Sequence, residues 1–154
     1  PPERVDPIEL LHAIVEDANF EAEAAGKRVT LDAGESFISQ LHGELVYRAY
    51  ENVIRNAVKY SPTGGVAEVT ARITEDDKLE VSVADRGPGV PSELHKRIFE
   101  PFFRIEEWGR TGGAGLGLAI AHRAITLHGG NIDVVSREQG GLIVKITLPR
   151  HSGH

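Results

Sequence analysis

The decapeptide ENVIRNAVKY, residues 51–60, decides how the rest of the chain is read. Its apolar spacing is that of a helix, yet asparagines stand at 52 and 56 and a lysine at 59. Asparagine is a middling-to-poor helix former, because its amide competes for nearby backbone groups. At about 100° per residue, Asn52, Asn56 and Lys59 fall within roughly 60° of one another, with Arg48 beside them. Val46, Ala49, Val53 and Ala57 form the apolar stripe of this helix, which the pattern predicts over about residues 44–60, ending before Pro62. The asparagines therefore flank the core-facing stripe, while Glu51 and Arg55 point toward solvent. A half-buried amide needs a partner. Either the two amides bond each other or a nearby loop, or they face a ligand. Amide oxygens are hard donors that suit Mg2+, which also takes phosphate oxygens. A lysine one turn on would meet phosphate as a point charge. The helix alone leaves both readings open.

Outward from this helix the elements alternate in type. Asp6 is a good N-cap, Pro7 suits the first helical position, and Glu9 completes a capping-box pattern. Leu11, Ile14, Val15, Ala18 and Ala22 follow at helical spacing up to a stop at Gly26. Residues 28–32 predict a strand, and two more follow near 66–74 and 78–85, joined by the polar turn EDDK. A short helix is expected over 92–98, an irregular stretch over 99–115, and a helix from about Leu116 to His128, stopped by Gly129 and Gly130. Strands at 131–136 and 141–148 close the chain around a Gly-Gly turn. Helices separated from runs of hairpin strands predict an α+β fold: a two-layer α/β sandwich with helices on one face of a mostly antiparallel sheet.

In KLEVSVAD, residues 78–85, Leu79, Val81 and Val83 share one strand face, and Asp85 continues it. A carboxylate thus stands where the next core residue belongs, and a buried charge is costly unless hydrogen-bonded. RGPGVP follows, a turn in which Gly87 and Gly89 permit tight backbone. Asp85 is then either an Asx-type turn starter or a recognition carboxylate at a pocket edge. In the second role it would accept from an amine on a flat apolar ligand, such as the N6 amine of adenine. GGAGLGLAI, residues 112–120, runs straight into a helix, and N–H groups at such a start favour anions. Its glycine spacing is neither a dinucleotide fingerprint nor a P-loop; the plainer alternative is a flexible loop with glycine-eased helix packing. Before it, Phe99, Phe102 and Phe103 of IFEPFFR anchor one end of IEEWGRTGG, a polar, glycine-bearing segment with the character of a lid.

Composition narrows the class. The 154 residues suffice for one domain with a real core, and 40% hydrophobic with 26% charged residues is a soluble globular balance. A net charge of −6 argues against nucleic acid as partner but leaves room for one phosphate-bearing ligand. Absence of cysteine excludes disulfides and thiolate zinc sites. His151 and His154, the close histidine pair, lie in the terminal tail, a poor place for a metal. There is no apolar run of membrane-spanning length, so no direct membrane contact is expected of this stretch. Starting at Pro1 and lacking methionine, the chain is expected to be a piece of a longer protein.

In order and spacing together, these motifs resemble the catalytic ATP-binding domain of sensor histidine kinases, within the superfamily of DNA gyrase, the ninety-kilodalton heat-shock chaperone and MutL. The resemblance runs from about Asp6 to Pro149. ENVIRNAVKY resembles the N box, DRGPG at 85–89 the first glycine box DxGxG, FEPF at 99–102 the FxPF box, and GAGLGL at 113–118 the second glycine box. The flavour is most similar to membrane-bound sensors that signal to OmpR-like response regulators, the Cpx-type envelope-stress sensors among them. The resemblance implies a Bergerat-type ATP-binding fold with ATP and Mg2+ as cofactors. It puts Asn56 in the Mg2+-binding place with Asn52 beside it, Lys59 and Tyr60 at phosphates and nucleotide, and Asp85 at adenine, flanked by Gly87 and Gly89. It assigns Gly113, Gly115 and Gly117, with Leu116 and Leu118, to the lid hinge and the helix meeting the phosphates, and Arg104 to the terminal phosphate. Ala114 departs from a common threonine, and Trp108 has no family role.

The implied reaction moves the γ-phosphoryl of ATP to a histidine nitrogen, a chemistry of positioning and charge neutralisation. Histidines 12, 42, 95, 122, 128, 151 and 154 all lack the acceptor pattern, so the acceptor is expected on a dimerisation hairpin outside this sequence. His42, in the lead-in to the N box, reads as structural. The expected partners are that acceptor-histidine dimerisation domain and an OmpR-like response regulator. The expected location is cytoplasmic, in a parent anchored as an inner-membrane sensor. Alternatives on the same fold are a non-catalytic nucleotide-binding module, an anti-sigma-type serine kinase, or a gyrase-like ATPase. The last would carry a glutamate four residues before the Mg2+ asparagine, where this chain has Asn52.

Overall fold

Period-two alternation in the strands and three-to-four spacing in the helices sort the apolar side chains onto surfaces that can face one another. The computed structural model of the chain describes residues 1–103 and 116–152. In chain order its elements are β1 (Glu3–Val5), α1 (Pro7–Ala24), β2 (Arg28–Ala33), β3 (Ser39–Leu41), α2 (Gly43–Tyr60), β4 (Val66–Ile73), β5 (Lys78–Ala84), α3 (Gly117–Leu127), β6 (Asn131–Ser136) and β7 (Leu142–Pro149). The main sheet has five strands in the order β2-β4-β5-β7-β6. Only β2 and β4 pair in parallel; the other neighbours are antiparallel. The helices pack on one another and on one sheet face, α2 between α1 and α3. That is the two-layer α+β sandwich with a mostly antiparallel sheet expected from the element order.

The core lies between the layers. Val29, Ala67, Val69, Ala71, Leu79, Val81, Val83, Val144, Ile146 and Leu148 point inward from the sheet, and Leu11, Ile14, Val46, Ala49, Val53, Ile54 and Ile125 meet them from the helices. Their strand neighbours on the far face, such as Glu68, Thr70 and Arg72, are exposed. This burial explains why α2 tolerates two asparagines. Each costs well under 1 kcal/mol in propensity relative to alanine. Each large apolar side chain buried on the same helix contributes about 1.5–3 kcal/mol.

Three details differ from the sequence reading. Residues 92–98 make no single helix but two short 3-10 turns, Ser92–Leu94 and Arg97–Phe99. The capping box at α1 is incomplete. The Asp6 Oδ1 accepts from the Ile8 N–H and also from the Phe37 N–H, both at 3.0 Å, and Glu9 stays exposed. A two-stranded antiparallel ribbon of β1 and β3 was not anticipated. Three-residue strands carry too little alternation to stand out. The distant tail bonds to β3: the Gln40 N–H donates to the His151 carbonyl at 2.9 Å.

Candidate functional site

Strand β5 delivers Asp85 one residue past its end, on the helix-facing side, with 7% of its surface exposed. The carboxylate is held by main chain from two elements. Its Oδ1 accepts from the Gly87 N–H at 2.8 Å and from the Leu142 N–H at 3.3 Å. The Asp85 N–H in turn donates to the Leu142 carbonyl at 2.9 Å. Both donors among the described residues go to one oxygen, which leaves Oδ2 as an acceptor for something else. Burial pushes this carboxyl up from the ordinary carboxylate range, opposed by the Gly87 and Leu142 N–H groups and by the positive charge of Arg137. An Asx turn is thus present, but the second oxygen and the burial go beyond a turn starter.

Two glycines make this geometry possible. A Cβ on Gly87 would stand 2.5 Å from the Tyr60 carbonyl oxygen, so the turn after Asp85 packs directly on the end of α2. A Cβ on Gly141 would stand 2.0 Å from the Asp85 carbonyl oxygen, and Gly141 has φ +105°. The β6–β7 turn can therefore lie flat behind Asp85 only as glycine. Gly89 sits in the same cluster, against the Gly141 carbonyl. Gly141, Leu142 and Arg137 were not singled out by the sequence reading. The Gly140–Gly141 pair signalled a turn, but nothing local says what a turn 56 residues downstream will touch.

On α2 the apolar stripe is buried and Asn52, Asn56, Lys59 and Tyr60 are half-buried along its flank. Among the described residues no hydrogen bond joins the two amides to each other or to a loop. The start of α3 comes up to this ladder: a Cβ on Gly117 would lie 3.4 Å from the Asn52 Oδ1. Lys59 Nζ stands 5.4 Å from the Tyr60 ring centroid. The last turn of α2 is tied down from outside. Lys27 Nζ donates to the Val58 and Lys59 carbonyls at 3.0 and 3.3 Å, and Ser61 Oγ to the Ala57 carbonyl at 2.7 Å. Lysine at a helix C-terminus matches the free carbonyls and the dipole. This cap was also missed, since Lys27 follows a helix stop and gives no sign of reaching another helix.

Leu116 caps α3 as an exposed side chain, and Leu118 packs partly buried against the core. Upstream, the Phe99 ring meets the His122 ring at 5.5 Å between centroids, and the Arg97 guanidinium lies 4.6 Å from the Phe103 centroid. Phe102 is exposed with φ +66°. Arg104, Gly113 and Gly115, together with Trp108, Ala114 and the segment read as a lid, lie outside the described residues. His42, read as structural, is exposed, and its ring meets the His128 ring edge-on at 5.5 Å between centroids. The His42 main-chain N–H donates to Nε2 of the buried His128 at 3.0 Å, while His128 Nδ1 bonds the Ala124 carbonyl at 2.7 Å. Among the described residues no cluster of histidine and acidic side chains could hold a metal, and no helix is long and apolar enough to cross a membrane.

The described site thus joins a buried acceptor at the end of β5 to a polar amide–lysine ladder on α2, with Tyr60 and Gly87 in contact between them. This arrangement can read a hydrogen-bond donor on a flat ring at one end and neutralise anionic oxygens at the other. Residues 42–152 match the family model described as histidine kinase-, DNA gyrase B-, and HSP90-like ATPase. The sensor protein CutS of Streptomyces coelicolor is 36% identical over 148 residues, covering 94% of this chain and 35% of CutS. The structure of the mycobacterial sensor histidine kinase MprB superposes with a TM-score of 0.87 at 27% identity, covering 99% of this chain and 100% of that one. Full-length ShkA, solved in complex with AMPPNP, gives a TM-score of 0.83 at 28% identity over 99% of this chain and 32% of its own. The chain spans 15–35% of the length of the first curated relatives it matches.

Proposed function

The chain belongs to the family of histidine kinase-, DNA gyrase B- and HSP90-like ATPases, as the catalytic ATP-binding domain of a sensor histidine kinase, and on that premise we propose that it presents the γ-phosphoryl of bound ATP to an acceptor histidine on a dimerisation hairpin outside this sequence. Asp85 carries the reading. A buried carboxylate with one oxygen spent on main chain and the other without a hydrogen bond among the described residues is matched to an exocyclic amine, which adenine has and guanine lacks at the equivalent edge. Asn56, Asn52 and Lys59 face the triphosphate. The two amides, half-buried and bonded to neither each other nor a loop among the described residues, fit a hard divalent cation with phosphate company. Asn56 would hold Mg2+, which when bound supplies neutralising charge at the phosphates. Lys59 adds a point charge, Tyr60 lines the nucleotide between the two ends, and the Gly117–Leu118 helix start offers N–H groups to anionic oxygens. Gly113, Gly115, Leu116 and Arg104 complete the phosphate end in this proposal.

The acceptor imidazole nitrogen would attack the γ-phosphorus as the bond to the bridging oxygen breaks and ADP leaves. The chain's part is alignment and charge, since phosphoryl transfer asks for little covalent help. The phosphoryl group then passes to a response regulator of OmpR-like type, and the parent is an inner-membrane sensor with this domain on the cytoplasmic side. ShkA, a full-length relative of similar fold, binds AMPPNP, which supports a triphosphate as ligand here.

Calorimetry with ATP, ADP and GTP, with and without Mg2+, tests the site: ATP and ADP bind, GTP does not, and Mg2+ tightens ATP more than ADP. Equal binding of GTP, or no binding at all, overturns it. With γ-labelled ATP and a separately produced histidine hairpin, label is expected in an acid-labile, base-stable form. Label on serine would instead mark the anti-sigma type of kinase.

A further inference from the structure

Arg137 lies in the turn that follows β6, far in sequence from every motif of the nucleotide site, with only 15% of its side chain exposed. Its Nη1 donates to the Asp85 main-chain carbonyl at 3.2 Å, and its Nη2 pairs with Glu68 on β4. Its own N–H donates to the Gly141 carbonyl at 3.0 Å, in the turn that backs Asp85. The sheet order here is β4-β5-β7-β6. Glu68 pairs across from Ala84, just before Asp85, and Ser136, just before Arg137, pairs with Leu142. Arg137, just past β6, therefore links four strands: its guanidinium joins β4 to the residue after β5, and its main-chain N–H bonds the residue before β7. It does so from the face that carries exposed Glu68, opposite the helices and the inward-pointing Asp85 carboxylate. It cannot touch a nucleotide on the helix side.

We infer that Arg137 is a positioning residue for adenine recognition, acting through Asp85: it clamps the Asp85 main chain from behind the sheet, so that the carboxylate is presented at one fixed attitude. This deepens the proposed function and rests on Asp85 being the adenine acceptor. The same guanidinium supplies an electrostatic service. Burial favours the protonated acid, which cannot accept through both oxygens, and the positive charge of Arg137 opposes that protonation. Glu68 partly cancels the charge. The other charged groups near Asp85 are Arg86, next in the chain and exposed, and Lys59, which precedes the Tyr60 carbonyl packed on Gly87. A fork that bonds a carbonyl and a carboxylate at once is a task for arginine, not lysine.

ADP affinity, measured by calorimetry from about pH 8 down to about pH 5 on the parent, Arg137→Ala, Arg137→Lys and Glu68→Gln, separates the possibilities. Arg137→Ala is expected to weaken ADP by about three- to tenfold at the alkaline end. Its loss of affinity on acidification should also begin at higher pH than in the parent. Arg137→Lys restores the acid limb, because the charge returns, but not the full affinity, because the fork does not. Glu68→Gln moves the acid limb the other way, to lower pH, and serves as the test should Arg137→Ala fail to fold. Parent-like profiles in Arg137→Ala with only a lowered melting temperature, or an unmoved or upward-moved limb in Glu68→Gln, overturn the inference while leaving the ATP site intact. Failure of the parent itself to bind ADP overturns both.

Discussion

In the proposed site, Asp85 and the asparagine pair form one half each, and they are built differently. Asp85 is buried, bonded to two main-chain N–H groups, packed against a glycine turn and braced from behind by Arg137. Asn52 and Asn56 stand half-buried on one flank of α2, with no hydrogen bond between them among the described residues. The first region is over-determined by backbone, and the second is left to its side chains. The contrast matches what the proposed function asks of each. Discrimination between bases needs an acceptor that cannot rotate to suit the wrong donor. Metal and phosphate need amide and ammonium groups that can adjust as charge moves.

The sharpest way to break this comparison is Asp85→Asn. It should lower ATP affinity by at least about a hundredfold, because an amide set there can offer its nitrogen to the adenine amine. The fold should survive, since the amide oxygen can still accept from Gly87 and Leu142. The sign of its pH dependence can be worked out. Burial raises Asp85 in the folded chain, so folding binds that proton more readily than unfolding does. Stability from this group is full below the unfolded carboxylate range and is lost as pH rises through the raised folded value. Asp85→Asn should therefore melt no lower than the parent at neutral pH, with any gain shrinking on acidification. A large loss of melting temperature at neutral pH would show Asp85 to be structural.

Next in size is Gly141→Ala, which asks whether the rigid end depends on the turn behind it. A Cβ 2.0 Å from the Asp85 carbonyl, at φ +105°, should cost about 2–4 kcal/mol in denaturant unfolding and weaken nucleotide binding with it. Stability loss with unchanged affinity would uncouple the two. Asn56→Ala probes the adjustable end. The tightening of ATP by Mg2+ should fall by at least about tenfold, while metal-free ADP stays within about twofold, because Asp85 is untouched. Equal losses for both ligands would make Asn56 a packing residue. Lys27→Ala should have the smallest effect, about 1 kcal/mol by thermal melting, through loss of two bonds at the end of α2.

Sequence alone went far on the elements and motifs. The period-two run Leu79, Val81, Val83 puts Asp85 on the buried face, and helical spacing puts the asparagines on the flank of the stripe. Such periodicities are local, and a few residues suffice to display them. What escaped was non-local: the Lys27 cap, the β1–β3 ribbon, the Gly141 contact and the four-strand clamp of Arg137. Each joins segments tens of residues apart in the chain, through bonds that no neighbouring side chain announces. Spacing determined that this chain has a sheet and three long helices, and the order of its motifs carried the resemblance to an ATP-binding family. The choice of which turn lies behind Asp85, and of which cation guards its charge, was made by the order β4-β5-β7-β6. Only the assembly of the sheet brings those strands within reach of one arginine.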